Sequence, residues 1–226
     1  MIKTPPSIIA LDGPAASGKS TVGRRLADAL GYLFFDTGVM YRAVTWIALN
    51  HDMDLNDEAA ITQMAESAEI DIRPPSQNDG RACDIVVNDK DITWDVRSGD
   101  VEASVSLVSA YAGVRTALSV QQRRIGLRGK VVMVGRDIGT VVLPEADLKV
   151  YMDASAEERA RRRVKDITAR GEQANYDEIL KKMIERDRLD STRAVAPLRP
   201  ADDALVLDTD KLSEEEVFAK ILEMCK

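Results

Sequence analysis

The sequence predicts an α/β fold in which a mostly parallel sheet is covered by helices on both faces. Short apolar runs of strand length alternate with segments of helical periodicity, which is typical of repeated strand–helix–strand units. The composition is that of an ordinary globular protein, with 45% hydrophobic and 31% charged residues. The length of 226 residues suits one such domain and is too short for two large ones, so we expect a single domain over residues 1–226.

The first predicted strand leads into a loop whose pattern is typical of phosphate binding. The apolar run 7–11 is followed by Gly13–Thr21, GPAASGKST, which matches GxxxxGK[ST] in full. Apolar residues then recur at helical spacing up to Gly31. Backbone N–H groups and the positive end of the helix favour a triphosphate, with Lys19 on its β- and γ-phosphates and Ser20 on Mg²⁺. The residues expected to bind ATP are Gly13, Pro14, Ala15, Ala16, Ser17, Gly18, Lys19, Ser20 and Thr21.

The second predicted strand, 32–35, ends at Asp36 and Thr37. Ligands of parallel sheets gather at the C-terminal ends of strands, so we expect both side chains to face the same cleft as the phosphate loop. A helix over residues 40–49 follows and carries Arg42 early on one face. Arg42 alone is equally consistent with a plain surface charge.

A small antiparallel sheet is predicted to interrupt the alternating pattern after a helix over residues 57–68. Residues 70–73 and 84–87 have the composition of short strands, and the segments 74–80 and 88–91 are rich in turn-forming residues. The second of these segments reads NDKD, which superficially resembles the guanine-reading NKxD of GTPases, but its lysine is in the wrong place. We therefore interpret it as a turn.

Two helices are expected between residues 101 and 127, where apolar residues recur at helical intervals. We expect the break between them near Gly113. The two helices carry Ser106 and Arg115.

An Arg–Asp pair follows the next predicted core strand, 130–134. The strand runs into GRDIGT, which places Arg136 and Asp137 at its C-terminal end. This position favours contact with a ligand, although a structural ion pair within the loop would be about as common.

A strongly basic helix follows the fourth predicted core strand, 148–152. Ser155 and Glu158 have the spacing of a capping box at its start, and Ser213 and Glu216 repeat that pattern at the C-terminal helix. The basic residues of the first helix are Arg159, Arg161, Arg162, Arg163 and Lys165. Such a cluster is usually a solvated face or a nucleic-acid patch. In an acidic chain that binds a triphosphate, we favour a mobile lid that closes over the phosphates.

A second cluster of charged residues lies on the next predicted helix, 176–191. It contains Arg186 and Asp190, and Arg193 lies just beyond the helix. A proline-containing segment then ends the helical pattern, and a last strand is predicted over residues 205–208.

Charge and composition argue against several classes of partner. The net charge of −7 and an aromatic content of 4% weigh against a nucleic-acid or anionic membrane surface, so we expect neither partner. The apolar run before Asp12 is too short to be a signal-peptide core or a membrane span.

Cys83 and Cys225 show neither metal-ligand spacing nor a disulfide framework, which favours a cytoplasmic location. The single histidine, His51, lies in a polar stretch, so histidine catalysis is not expected.

Several of these segments together resemble one family, the bacterial cytidylate kinases, which are nucleoside monophosphate kinases with a P-loop NTPase fold. The segments are Gly13–Thr21, Asp36–Gly38 with Tyr41 and Arg42, Gly135–Val142, Asp153–Ser155 with Glu157–Arg159, and Glu185–Asp187 leading to Arg193–Leu198. The phosphate loop alone indicates only a nucleoside triphosphate, whereas the GRDIGT and RAVAP segments are specific to this family. The resemblance covers nearly the whole chain.

The resemblance implies transfer of a phosphoryl group from ATP to CMP or dCMP, with Mg²⁺, in pyrimidine nucleotide metabolism. It also implies a monomer with an acceptor-binding insert over about residues 38–115 and an arginine-rich lid over about residues 156–172. The residues it places around CMP are Thr37, Arg42, Ser106, Arg115, Arg136, Asp137, Arg186, Asp190 and Arg193. Of these, it assigns the acceptor phosphate to Arg42, Arg136 and Arg193, the cytosine to Ser106, Arg115 and Asp137, and the ribose to Arg186 and Asp190. The catalytic residues that it implies are Lys19, Arg136, Arg159, Arg163 and Arg193.

One position departs from the pattern of the family. The family usually has an acidic residue directly before Gly-Arg-Asp, and this chain has Val134 there. If that acid helps to hold Mg²⁺ through water, the task falls here to Asp36 or to solvent. The protein ligands expected for the metal are therefore Ser20 and Asp36.

Three other interpretations use the same phosphate loop. A kinase for UMP or another small acceptor would share the scaffold. A switch driven by nucleoside triphosphate belongs to a different class, and the chain lacks the guanine-reading motif of such proteins. An RNA-associated ATPase fits poorly with the net charge of −7 and the few aromatic residues. Release of ADP, measured against a panel of monophosphates, separates these interpretations.

Overall fold

Parallel strands form the central sheet of the structure, a computed structural model that describes residues 5–226. The strands are β1 (Ile8–Asp12), β2 (Leu33–Asp36), β3 (Ile70–Arg73), β4 (Asp84–Val87), β5 (Lys90–Asp91), β6 (Val131–Val134), β7 (Leu148–Asp153) and β8 (Leu205–Asp208). The helices are α1 (Lys19–Leu30), α2 (Gly38–Asn50), α3 (Glu58–Ser67), α4 (Gly99–Val108), α5 (Ala112–Gly126), α6 (Ala156–Ala169), α7 (Tyr176–Thr192) and α8 (Glu214–Met224). The central sheet has the order β2–β6–β1–β7–β8, and every neighbouring pair is parallel.

The middle strand, β1, is apolar throughout because both faces of the sheet are covered. Successive side chains of a strand point to opposite faces, and Ala10 packs in one apolar cluster while Ile9 and Leu11 pack in the other. The first cluster lies against α2 to α5, and the second lies against α1 and α8. The predicted α/β fold, with helices on both faces of a parallel sheet, is confirmed.

A second sheet of three antiparallel strands, in the order β3–β4–β5, forms the predicted insert. The prediction of a turn over residues 88–91 is wrong at Lys90 and Asp91, which form β5. Only Asn88 and Asp89 turn, at φ of 47° and 62°, a backbone region that these two residue types tolerate. A two-residue strand is too short for alternating hydrophobicity to reveal it.

The break between α4 and α5 lies at residues 109–111, close to Gly113, as predicted. Gly113 is inside α5, where this helix packs on α3. A Cβ atom at this position would lie 2.4 Å from Cγ2 of Thr62. The glycine therefore permits close packing of α3 and α5 and does not end a helix.

The two predicted capping boxes differ. At α8 the box is complete, because Ser213 Oγ accepts from the backbone of Glu216 and the Glu216 carboxylate accepts from the backbone of Ser213. At α6 only Ser155 caps, through a bond from the backbone N–H of Glu158 at 3.2 Å. The Glu158 carboxylate pairs instead with Arg161 and Arg162, and the backbone N–H of Ser155 donates to Oδ1 of Asp210 at 2.7 Å.

Residues 1–4, with which the predicted domain begins, lie outside the described residues. From residue 5 onward, no helix is both long enough and apolar enough to cross a lipid bilayer.

Candidate active site

The phosphate loop joins the C-terminal end of β1 to the first turn of α1. Its backbone has positive φ at Gly13, Ala16 and Gly18, with values of 145°, 60° and 93°. A Cβ atom on Gly13 would lie 2.2 Å from the carbonyl oxygen of Met152, so only glycine fits where the loop passes β7. The loop therefore wraps around the N-terminus of α1, an arrangement suited to phosphate groups.

Lys19 is the first residue of α1, and its side chain is buried against the loop. Its Nζ donates to the carbonyl oxygen of Pro14 at 2.5 Å and to Oγ of Ser17 at 3.2 Å. Burial lowers the pKa of Lys19 to about 7, and the positive charge of the nearby Arg136 acts in the same direction. Two cationic side chains this close favour a ligand that carries several negative charges.

Ser20 and Asp36 meet at the C-terminal edge of the sheet, as the strand ends predict. Ser20 Oγ donates to Oδ2 of Asp36 at 2.6 Å, and Oδ1 accepts from the backbone N–H of Gly38 at 3.0 Å. Within residues 5–226, no group of three or more His, Cys, Asp or Glu side chains is arranged to hold a metal. A hydroxyl and one carboxylate are the small protein contribution that Mg²⁺ takes when phosphate oxygens and water complete its shell. The pair therefore fits a metal that binds together with a nucleotide.

Val134 ends β6 and packs into the apolar cluster beneath α1. A Cβ atom on Gly23 would lie 2.8 Å from Cγ2 of Val134, so the glycine makes room for this branched side chain. The neighbouring Thr37 is buried, and its hydroxyl donates to the carbonyl oxygen of Val134 at 3.0 Å. The site therefore has an apolar contact at this position, and Asp36 supplies the carboxylate beside Ser20.

Three arginines and two aspartates form a largely buried ionic network at the same edge of the sheet. Arg136 Nε lies 2.5 Å from Oδ2 of Asp190, and Arg193 Nη1 lies 3.1 Å from its Oδ1. Asp137 Oδ2 accepts from Nη2 of Arg115 at 3.1 Å and lies 3.8 Å from Nη2 of Arg193. Three positive and two negative charges leave the network with a net positive charge, which an anionic ligand would neutralise.

Two donors of this network have no hydrogen-bond partner among the described residues. They are Nε of Arg115 and Nη2 of Arg193, and both atoms are buried. Burial and the positive charge of Arg115 lower the pKa of Arg193. A buried donor without a partner is costly, so such groups are typical of a place that receives a ligand.

Three other residues predicted to bind the acceptor, Arg42, Ser106 and Arg186, lie on helices. Arg42 on α2 pairs with Glu102 on α4, with 2.6 Å between Nη2 and Oε2. Ser106 lies one turn beyond Glu102 and is exposed. Arg186 on α7 approaches Asp190 to 3.9 Å. Ser106 thus lies outside the hydrogen-bonded network, whereas Arg186 lies at its margin.

The basic helix α6 is not one uniformly solvated face. Arg159 is buried, and its guanidinium donates to the carbonyl oxygens of Ala154 at 2.9 Å and Ala15 at 3.2 Å. It also pairs with Asp187 on α7. Arg163, about one turn later, is exposed. Arg159 therefore fastens α6 to the phosphate loop, and Arg163 extends from the same helix into solvent.

Asp12 belongs to the site, although the sequence pattern does not single it out. It ends β1 directly before Gly13 and is only 5% exposed. Its carboxylate accepts from the backbone N–H groups of Ile138 at 2.8 Å and Gly139 at 2.7 Å. It thereby joins the strand of the phosphate loop to the loop that carries Arg136. The local signal is an acidic residue at the end of an apolar strand.

Comparison with known proteins agrees with the resemblance seen in the sequence. The family model described as cytidylate kinase matches residues 9–226. A cytidylate kinase of Herpetosiphon aurantiacus is 49% identical, over 97% of this chain and 94% of the relative. Those of Roseiflexus castenholzii and Carboxydothermus hydrogenoformans are 50% and 46% identical, over 96% of this chain and 92% and 96% of the relatives. The chain therefore belongs to the cytidylate kinase family.

Proposed function

We propose that this chain transfers the γ-phosphoryl group of ATP to CMP or dCMP, giving ADP and CDP or dCDP. Membership of the cytidylate kinase family supports this activity. The observation that carries the proposal is the contact between two loops. The phosphate loop and the loop with Arg136 leave neighbouring parallel strands, β1 and β6, at the same edge, and Asp12 hydrogen-bonds across them. A donor phosphate and an acceptor phosphate would therefore be held side by side.

The proposed mechanism depends on positioning and electrostatics. Phosphoryl transfer passes through a loose transition state whose negative charge is spread over several oxygens. Lys19 would place its charge on the β- and γ-phosphate oxygens, where the low dielectric of a buried site strengthens the interaction. No histidine base is needed, because the acceptor is itself a phosphate oxygen.

The acceptor phosphate is assigned to Arg136 and Arg193, with Arg42 from α2. Each of these side chains is paired with a carboxylate of the protein, Asp190 or Glu102. Guanidinium groups bind phosphate with two parallel hydrogen bonds and keep their charge, so they suit this task better than lysine. On binding, oxygens of the substrate phosphate would replace these carboxylates as partners of the arginines.

The base and the sugar are assigned to the other members of the network. Asp137 would accept from the amino group of cytosine, while Arg115, with its unpaired Nε, and Ser106 would contact the remaining polar atoms of the ring. Arg186 and Asp190 would hold the ribose hydroxyls. The closeness of Arg186 and Asp190 on one face of α7, at 3.9 Å, supports a shared ligand.

The metal site is assigned to Ser20 and Asp36. Bound Mg²⁺ would neutralise charge on the β- and γ-phosphate oxygens of ATP. Ser20 would give its hydroxyl oxygen to the ion, and Asp36 would hold the ion either directly or through water. The 2.6 Å hydrogen bond between the two side chains supports this assignment, because it places both oxygens together beside the loop.

The lid is assigned to residues 156–172, with Arg159 and Arg163 as its catalytic side chains. The bond from Arg159 to the carbonyl oxygen of Ala15 supports a role at the phosphates. Arg163 would reach the transferred group when the helix closes. Closure would exclude water, which would otherwise compete with CMP for the phosphoryl group.

We also propose that the enzyme is a cytoplasmic monomer with a single domain, whose acceptor-binding insert spans about residues 38–115. Both cysteines, Cys83 and Cys225, are free and buried, which suits a reducing compartment. The net charge of −7 weighs against nucleic acid as a partner. Size-exclusion chromatography with light scattering would test the monomer, and a mass of twice 24.9 kDa would contradict it.

The proposed activity is tested by ADP release with ATP, Mg²⁺ and a panel of monophosphates. We expect turnover that depends on CMP or dCMP and is weak with UMP, AMP and GMP. Equal ADP release without any acceptor would indicate an ATPase or a switch. Preference for another monophosphate would replace the assigned substrate.

A further inference from the structure

The helical turn Ile138–Val142 is capped by a residue from another strand. Asp137 occupies its N-cap position, and aspartate is a preferred N-cap because its carboxylate can accept the N–H groups of the first turn. Asp137 makes no such bond, and its Oδ2 accepts instead from Arg115 at 3.1 Å. The first two N–H groups of the turn donate to Asp12, at 2.8 and 2.7 Å. Asp12 thus caps this turn in place of Asp137.

We propose that Asp12 is a positioning residue which, by capping this helical turn from β1, leaves the Asp137 carboxylate available to the base of the acceptor. The inference rests on the proposed function, in which Asp137 reads cytosine. It adds a residue to base selection that contacts neither substrate.

The packing around Asp12 leaves the turn little freedom. A Cβ atom on Gly139 would lie 3.3 Å from Oδ2 of Asp12 and 3.1 Å from Cδ of Lys149, so the glycine lets the backbone reach the carboxylate. Asp12 has both oxygens occupied by backbone N–H groups, one each. If these acceptors are lost, the nearest replacement cap is the side chain of Asp137 itself.

The charge of Asp12 matters to this capping. Burial raises the pKa of Asp12 to about 6, and Asp137 acts in the same direction, while the two backbone N–H groups and Lys19 oppose the rise. Lys149 and Tyr151 face it from β7, where Tyr151 is its register partner. A protonated carboxyl group would carry a hydrogen on one oxygen and lose an acceptor for one N–H group. Capping should therefore weaken as the pH falls below about 6.

The test compares two aspartates whose carboxylates each accept two backbone N–H groups. Asp147 accepts the backbone N–H groups of Ser7 and Ile8 at 2.8 and 2.9 Å, at the opposite end of β1. We expect Asp12→Asn to lower the ratio of kcat/KM for CMP to that for UMP by about tenfold or more. Asp147→Asn should leave the ratio as in the wild type.

A folded Asp12→Asn protein with the wild-type ratio would overturn the inference; circular dichroism and thermal unfolding establish that it is folded. If the variant does not fold, the wild type provides the test. CMP and UMP carry the same phosphate, so its titration cancels in their ratio, and we expect that ratio to fall between pH 7 and about pH 5.5, above the range in which the cytosine ring itself takes up a proton. A constant ratio would refute capping by ionised Asp12. Wild-type protein without CMP-dependent turnover would overturn the proposed function, and this inference with it.

Discussion

Nη2 of Arg115 lies 3.1 Å from Oδ2 of Asp137, and both side chains are buried. The guanidinium neutralises the carboxylate and fixes its orientation. An oriented carboxylate oxygen is a specific acceptor for an amino group and repels a carbonyl oxygen. In the proposed assignment, this pair would give the site a physical means to prefer cytosine, which presents an amino group where uracil presents a carbonyl.

Asp137→Asn should lower kcat/KM for CMP much more than for UMP. The asparagine amide can donate as well as accept, so it no longer penalises the uracil carbonyl, and the change should cost CMP about 1–3 kcal/mol of transition-state binding. Steady-state kinetics with both monophosphates measures it. Equal losses for the two substrates would mean that Asp137 only pairs with its neighbours, and would remove it from base recognition.

Lys19→Met should abolish turnover while the protein stays folded. In the proposed mechanism Lys19 supplies positive charge to the β- and γ-phosphates, an effect of about 3–4 kcal/mol or more in a water-excluded site. Turnover and thermal unfolding are measured on the same preparation. Lys220→Met, on the exposed face of α8, is the matched control and should behave as the wild type. Activity of Lys19→Met within tenfold of the wild type would disprove the loop assignment.

Binding of MgATP at pH 8 should take up close to one proton. The pKa of Lys19 is lowered to about 7, so most protein molecules carry a neutral Lys19 at pH 8. Bound phosphate would restore its positive charge. Calorimetry in two buffers of different ionisation enthalpy measures the uptake. Lys19→Met should abolish it, and an unchanged uptake would assign the proton elsewhere.

Without ligand, the unfolded chain binds more protons between pH 7 and 10.5, so the free energy of unfolding should rise with pH there.

Tryptic cleavage after Arg161, Arg163 and Lys165 should slow when ATP and CMP are both present. These side chains are exposed, and closure of the lid would order the helix that carries them. Cleavage after the exposed Lys211 provides an internal reference in the same digest. Mass spectrometry of timed samples gives the rates. Equal relative rates with and without nucleotides would favour a solvated helix without a lid function.

Gly113→Ala should destabilise the fold by about 1–3 kcal/mol, because the new methyl group would overlap Thr62 and force α3 and α5 apart. Gly99→Ala is the control, since no other atom lies within 4 Å of a Cβ added there at the start of α4. That change should be neutral or stabilising by up to about 1 kcal/mol. Urea unfolding measures both, and equal effects would contradict the packing explanation.

The features that were predictable from sequence are those encoded within a short stretch. The phosphate loop is one continuous segment, and the rule that strand ends share an edge was enough to bring Ser20 and Asp36 together. The same rule placed Arg136 and Asp137 beside the loop. The break between α4 and α5 is predictable to within a few residues, but the packing role of Gly113 is not, because a glycine needed for helix packing has the same local pattern as a helix end.

The features that sequence patterns missed depend on how distant segments meet. The pair of Arg42 and Glu102 forms only because α2 and α4 lie side by side, and in sequence each is a solvated charge. The pair of Arg159 and Asp187 likewise forms only because α6 and α7 lie side by side. Asp12 is separated from its backbone partners by more than one hundred residues in the sequence, and no local pattern predicts that contact.

The arginines assigned to the acceptor phosphate are each paired with a carboxylate of the protein. If the assignment holds, binding of CMP would be a form of ion exchange, in which phosphate oxygens replace carboxylate oxygens. The gain in Coulomb energy would be smaller than the number of arginines suggests, because several of the new contacts would replace existing ion pairs. Added salt should consequently weaken CMP binding less than it would at an open cluster of cations, and shape and base complementarity carry more of the selectivity.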